Sequence, residues 1–127
     1  MAPVSIVLAI CVAGACGAVA RYLLSERIAR HWQGRFPLAT FLINVTGAFA
    51  LGFLLTAGAA SLPALANLRI VIGSGFLGGY TTFSTLSFET HSFTRRGQHA
   101  SATLNALGSL LAGVLAAALG IILGHLV

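Results

Sequence analysis

The sequence predicts an all-α membrane protein with four transmembrane helices, and two observations lead to that fold class. The 127 residues are 57% hydrophobic and only 7% charged, whereas a soluble domain carries roughly 25% charged residues. The apolar residues form four segments, at about 4–24, 36–60, 68–92 and 99–125, each near or above the ~20 residues that cross a bilayer as a helix. We therefore predict a single four-helix membrane domain over residues 1–127.

The first segment is predicted to be a retained transmembrane helix. No lysine or arginine precedes Arg21, so the basic start of a secretory signal is missing. Cys11 and Cys16 would point about 140° apart on such a helix. We expect them to act as small apolar side chains that do not pair with each other.

The second and fourth segments repeat small or polar residues every four positions, which keeps those residues on one helix face. Small residues there let helix backbones approach closely. Packing alone accounts for the glycines and alanines, but the amides of Asn44 and Asn105 need a partner or an ion in a membrane. The repeat comprises Thr40, Asn44, Ala48, Gly52 and Thr56 in the second segment and Ser101, Asn105, Ser109 and Gly113 in the fourth.

The third segment contains the poor helix-forming stretch GSGFLGGYTTFSTLSFE, residues 73–89. Each glycine costs a helix about 1 kcal/mol relative to alanine, and the pair Gly78-Gly79 is followed by the β-branched pair Thr81-Thr82. We predict a helix break near Gly78–Thr82. In a membrane, the freed backbone groups must face protein, water or an ion. The alternative is a close helix crossing whose serine and threonine hydroxyls bond back to the helix.

The arginines are distributed unevenly along the predicted topology. One side of the membrane would hold Arg27, Arg30, Arg35, Arg95 and Arg96, and the other only Arg69. The positive-inside rule places the arginine-rich linkers in the cytoplasm and both termini outside. The net charge of +5 is expected to meet lipid phosphate, and no nucleic acid is expected as a partner.

Three motifs together resemble the small fluoride channels of the Fluc, or CrcB, family. The longest is GFLGGYTTFST at residues 75–85, followed by Ser87 and Glu89. The others are GAVARY at residues 17–22 and TFLINVTG at residues 40–47. The length and the four-helix plan agree with this resemblance, which covers the whole chain.

The resemblance implies a passive, fluoride-selective channel and no enzymatic activity. Members export cytoplasmic fluoride across the bacterial inner membrane as dual-topology homodimers of two antiparallel subunits, with two pores along the interface. A structural sodium ion at the dimer centre is held by backbone carbonyls that match Gly78 and Thr81.

The resemblance also implies which side chains line the fluoride pore. Asn44 offers an amide donor and Phe83 the positive edge of its ring, while Arg21 matches an arginine near the pore vestibule or, equally, a headgroup anchor. The expected pore residues are Asn44, Phe83, Ser109, Thr40, Thr82, Ser84, Asn105 and Arg21. Leu86 stands where the family often has a second phenylalanine, so one ring contact is missing or replaced.

Other functions are compatible with parts of the pattern. The arginine bias and Leu86 keep open a subunit of a heterodimeric fluoride channel. A small multidrug exporter would need a carboxylate inside its first helix, but the only acids are Glu26 and Glu89. A non-conducting scaffold subunit would not need the helix break. The role of Glu89 stays open, and the four histidines are expected at membrane interfaces.

Overall fold

The computed structural model describes residues 3–58 and 65–127, and all regular structure within these ranges is helical. The predicted turn at Pro63 lies outside the described residues. The elements are α1 (Pro3–His31), α2 (Leu38–Thr56), α3 (Ala66–Ile70), a π-helical segment (Val71–Leu77), α4 (Gly78–Tyr80), α5 (Phe83–Arg95) and α6 (His99–His125).

Three of these helices are long and apolar enough to cross a membrane. They are α1, α2 and α6, with mean hydropathies of 2.2, 2.0 and 2.4 over their most apolar 18-residue windows. They correspond to the first, second and fourth predicted segments. The third predicted segment is divided among α3, the π-helical segment, α4 and α5.

Helix α1 is longer than the sequence indicated. The predicted basic linker began at Ser25, but the helix continues to His31. Glutamate and arginine are good helix formers, and no glycine or proline lies between Ser25 and Gly34. Only a short connection therefore separates α1 from α2.

Helix α2 is shorter than predicted and ends at Thr56, before a left-handed Gly58 with φ of 59°. Arg69 Nη2 donates a 2.6 Å hydrogen bond to the carbonyl of Ala57. This cation therefore satisfies a carbonyl at the end of α2, where the helix dipole favours positive charge.

The most extensive helix contact joins α2 and α6. A Cβ atom on Gly52 of α2 would collide with the Ala117 carbonyl, and one on Gly120 of α6 would collide with the Phe49 carbonyl. These two glycines thus allow the two backbones to touch. In the same way α1 packs on the π-helical segment and α4, where Gly17 lies against the backbone of Phe76.

Polar side chains make up much of the small interior, and large apolar side chains cover the outside. The described residues that are buried with side chains larger than glycine are Ile43, Leu77, Ala102, Thr40, Thr82, Asn105 and Ser109. Leu115 is 70% exposed and Val12 is 65% exposed. Lipid is an apolar solvent for such side chains, so the buried polar groups require another explanation.

Candidate functional site

The third segment leaves the helical conformation at Thr81 and Thr82. Thr81 has φ −77° and ψ 159°, and Thr82 has φ −148° and ψ 115°, so both are extended. These residues lie within the predicted break, but Gly78 and Gly79 stay helical. The β-branched threonines favour extended backbone, whereas Gly79 lacks a Cβ atom where α4 touches the Gly14 carbonyl of α1.

A π-helical turn leads into this break. The N–H of Gly78 donates to the carbonyl of Gly73, five residues earlier. Such turns are rare and often occur at functional sites. The formal G-x-G-x-x-G pattern falls inside this helical stretch and follows no strand in the described residues.

Asn44 bonds to both backbone groups of Thr82. Its Nδ2 donates to the Thr82 carbonyl at 2.9 Å, and its Oδ1 accepts from the Thr82 N–H at 2.8 Å. The Thr82 hydroxyl in turn accepts from the N–H of Thr85 at 3.2 Å and caps α5. Because an amide nitrogen carries two protons, Asn44 has a second N–H that the bond to Thr82 does not use.

The break releases two carbonyl oxygens from helical pairing. The Thr81 N–H bonds to the Leu77 carbonyl and the Thr82 N–H to Asn44, so neither reaches the carbonyl of Gly78. The Thr81 carbonyl accepts a 3.4 Å contact from Arg21 Nη1. Hard cations take oxygen ligands, and the carbonyls of Gly78 and Thr81 are oxygens of that type. Within residues 3–58 and 65–127, no cluster of His, Cys, Asp or Glu offers a different metal site.

A groove between α2, α5 and α6 brings three predicted pore residues together. Asn44, Phe83 and Ser109 all line this space of about 580 Å³, with Leu86 beside them. Phe83 is 82% exposed, so its ring stands free in the groove. A second groove of about 380 Å³ lies along the break and shares Asn44, Phe83 and Leu86 with the first.

A row of buried polar groups lies beside the groove. Thr40 donates to Glu89 Oε1 at 2.7 Å, and Asn105 Nδ2 donates to the Thr90 hydroxyl at 3.0 Å. Among the described residues, three buried polar atoms have no hydrogen-bond partner: Glu89 Oε2, Asn105 Oδ1 and Ser109 Oγ. Buried polar atoms usually have a partner, so this row has spare hydrogen-bonding capacity.

The other predicted pore residues take separate positions. Thr82 lines the groove along the break, and Ser84 lies next to it with its hydroxyl 3.3 Å from the Thr82 hydroxyl. Thr40 and Asn105 are buried at 6% and 1% exposure and do not line the groove, although Asn105 bonds to Thr90, which does. Arg21 contacts the break at Thr81 and borders neither groove.

The sequence interpretation missed part of α5. Ser87, Thr90, His91 and Thr94 line the groove, although His91 was expected at a membrane interface. These residues recur three and four positions apart after Phe83, which places them on one helix face. That spacing was the available signal.

Comparison with known proteins agrees with this architecture. The family profile described as "CrcB-like protein, Camphor Resistance (CrcB)" matches residues 8–121. The chain is 44% identical over 115 residues to a protein of Cutibacterium acnes named "Fluoride-specific ion channel FluC 2", covering 91% of this chain and 94% of that protein.

Two further relatives carry similar names. A Symbiobacterium thermophilum protein named "Fluoride-specific ion channel FluC 1" is 46% identical over 116 residues, 89% of this chain and 92% of its own length. A Moorella thermoacetica protein named "Fluoride-specific ion channel FluC 2" is 43% identical over 107 residues, 84% of this chain and 86% of its own length. The match of a family profile to nearly the whole chain confirms the resemblance seen in the motifs, and this chain belongs to the CrcB family.

Proposed function

We propose that this protein is a fluoride-selective ion channel of the plasma membrane that lets cytoplasmic fluoride flow out passively, without enzymatic activity. The observation that carries the proposal is the groove in which Asn44, Phe83 and Ser109 meet, in a chain whose relatives are named fluoride-specific channels. Passive efflux of fluoride through such a channel protects a cell from fluoride without an energy source.

The chemistry of the groove suits a small anion that holds water strongly. Asn44 has an unused amide N–H, and Ser109 has a buried hydroxyl with no partner in the described residues. Phe83 presents its ring, whose edge carries partial positive charge. No arginine lines this groove, so donors can replace water without a fixed charge that would trap the ion.

Four crossings and an antiparallel homodimer complete the proposal. The third crossing consists of the interrupted segment 66–95, in which Asn44 bonds to the N–H and the carbonyl of Thr82. The groove is open on one side, where Phe83 is 82% exposed. A second, inverted copy would supply the missing wall and give two equivalent pores.

A structural sodium ion at the dimer centre belongs to the same proposal. The carbonyls of Gly78 and Thr81 would hold it, since the break frees them from helical pairing. The ion supplies charge that holds the two broken segments together. Asn44 orients the break, and Arg21 contacts the Thr81 oxygen from α1.

Fluoride efflux from liposomes that contain only this protein tests the proposal. We expect vesicles loaded with potassium fluoride to empty when a potassium ionophore removes the opposing voltage, and chloride-loaded vesicles to stay full. Equal release of both anions would refute selectivity. If the correctly folded protein alone released no fluoride but did so with a co-expressed second subunit, that result would favour the heterodimer.

A further inference from the structure

The C-terminal end of α1 extends beyond the length of a membrane crossing, carries positive charge and continues an apolar groove on the helix surface. The helix has 29 residues, which is about 44 Å at 1.5 Å per residue and exceeds the ~30 Å hydrocarbon core of a bilayer. Its last turns lie beside the first turn of α2, where Leu24 and Ile28 meet Leu38 and Leu42. The end of α1 therefore lies at the membrane–water interface.

Trp32 marks this interface. It is the only tryptophan of the chain, its indole is 43% exposed, and its Nε1 donates to the Phe36 carbonyl at 2.8 Å. Tryptophan prefers the headgroup level of a bilayer. It also borders the same small groove as Arg27 and His31.

Two grooves on the outer face of α1 join into one track. The first, of about 390 Å³, is lined by Ala15, Cys16, Val19, Ala20 and Leu23 and is almost entirely apolar. The second, of about 630 Å³, shares Ala20 and Leu23 with it. The two grooves thus form one shallow, largely apolar track along the helix.

The same track ends at a group of charged and titratable side chains. Arg27 and Arg30 line the second groove together with Glu26 and His31. Both guanidinium groups are exposed, and no hydrogen bond or ion pair to them is found in residues 3–58 and 65–127, although Glu26 lies nearby. Arginines three positions apart share a helix face, and a guanidinium binds phosphate with two parallel hydrogen bonds.

We infer that this track is a binding site for an anionic phospholipid. One acyl chain lies along Ala15 to Leu23, and the phosphate lies between Arg27 and Arg30. Charge complementarity selects the occupant, since the track has an almost entirely apolar part and ends at Arg27 and Arg30, which matches an acyl chain that carries a phosphate.

Trp32 provides the measurement. The protein is placed in vesicles of phosphatidylcholine in which either brominated phosphatidylglycerol or brominated phosphatidylcholine quenches its fluorescence. We expect the relative binding constant for phosphatidylglycerol to exceed that for phosphatidylcholine by about fivefold or more, because each arginine near the surface attracts an anionic lipid.

A matched pair of double variants separates this site from general surface charge. Arg27→Gln with Arg30→Gln should bring the ratio close to one. Arg95→Gln with Arg96→Gln removes the same charge from exposed positions at the end of α5 and should change the ratio by less than about twofold. Circular dichroism and size-exclusion profiles verify that each variant is folded.

A third variant tests the apolar part of the track. Ala20→Phe narrows the track between Cys16 and Leu23, keeps Trp32 as the fluorophore, and should lower the phosphatidylglycerol ratio toward one. Equal ratios in the wild type and the Arg27/Arg30 variant would overturn the proposal, as would equal losses in both arginine variants. No quenching of Trp32 by either lipid in the wild type would also overturn it, since lipid would then not reach the side chain that borders the same groove as Arg27.

Discussion

At the scale of single residues, Asn44 has two roles that the sequence could not separate. The predicted donor to an anion is also the side chain that bonds to both backbone groups of Thr82. The same amide therefore supports the break and lines the groove. Glu89, whose role the sequence left open, is bonded to Thr40 on α2.

Replacement of Asn44 by leucine should affect both flux and stability. It leaves the N–H and carbonyl of Thr82 without a partner, and each unsatisfied buried group costs about 1–3 kcal/mol. We expect Asn44→Leu to abolish fluoride flux and to lower the thermal unfolding temperature in detergent. Asn44→Asp keeps the acceptor for the Thr82 N–H and should be less destabilised. Wild-type flux in Asn44→Leu would assign this residue to packing alone.

Phe83 allows a cleaner test of the ring. Its side chain is 82% exposed, so Phe83→Ile removes the ring edge with little loss of packing within the subunit. We expect a severe loss of fluoride flux with an unchanged unfolding temperature and an intact assembly by size exclusion. Leu86→Phe restores the usual family residue, and we expect it to fold and conduct. Normal flux in Phe83→Ile would eliminate the ring-edge mechanism.

The hydrogen bond from Thr40 to Glu89 should contribute measurably to stability. Thr40→Val removes the donor from a carboxylate whose second oxygen has no partner in the described residues, and it should cost about 1–3 kcal/mol in the free energy of unfolding. Thr94→Val is the matched control, since the Thr94 hydroxyl bonds back to the Thr90 carbonyl of its own helix α5 at an exposed position. Chemical denaturation compares the two, and equal losses would contradict the assignment.

At the scale of the elements, glycines determine how closely the helices pack. Gly79 was expected to weaken a helix, but it remains helical and lets α4 approach α1. The threonines that follow end the helix instead. Composition located the break. Whether the glycines or the threonines end the helix depended on the tertiary contacts of each residue.

Two glycines of α6 predict opposite outcomes on substitution by alanine. A Cβ atom on Gly120 would collide with the Phe49 carbonyl and the Phe53 nitrogen of α2. A Cβ atom on Gly113 would meet no atom within 4 Å beyond its own helix backbone. Gly120→Ala should therefore destabilise the α2–α6 contact by more than about 2 kcal/mol. Gly113→Ala should be neutral or up to about 1 kcal/mol stabilising. Thermal unfolding of both variants in one detergent is the measurement, and a harmless Gly120→Ala would disprove this packing.

At the scale of the whole molecule, the subunit has polar side chains inside and a groove that is open on one side. Membrane helices gain little from burying apolar area, because lipid is equally apolar. Close backbone packing and hydrogen bonds therefore hold the subunit together. The open groove, with Phe83 exposed in it, is the feature that a second copy would complete.

We expect the purified protein to be a dimer of two 13.0 kDa chains. Light scattering with subtraction of the detergent gives the mass directly. Phe88→Arg introduces a charge at a 71% exposed apolar position of α5 and should dissociate the dimer and stop flux together. A wild-type monomer that conducts fluoride would contradict the proposed interface.

The sequence by itself determined the apolar segments, the location of the break and the family. These features depend on composition and local motif, and apolar length alone is a strong signal in a membrane chain. It overestimated α2 and ended α1 too early, because polar residues that form good helices can extend a membrane helix beyond the bilayer.

Only the tertiary structure decided which polar groups meet. The pairing of Asn44 with Thr82, of Thr40 with Glu89 and of Asn105 with Thr90 joins residues 15 to 49 positions apart. No periodicity within one helix encodes such contacts. They arise because glycines let the backbones touch, which brings buried polar atoms of different helices within hydrogen-bonding distance.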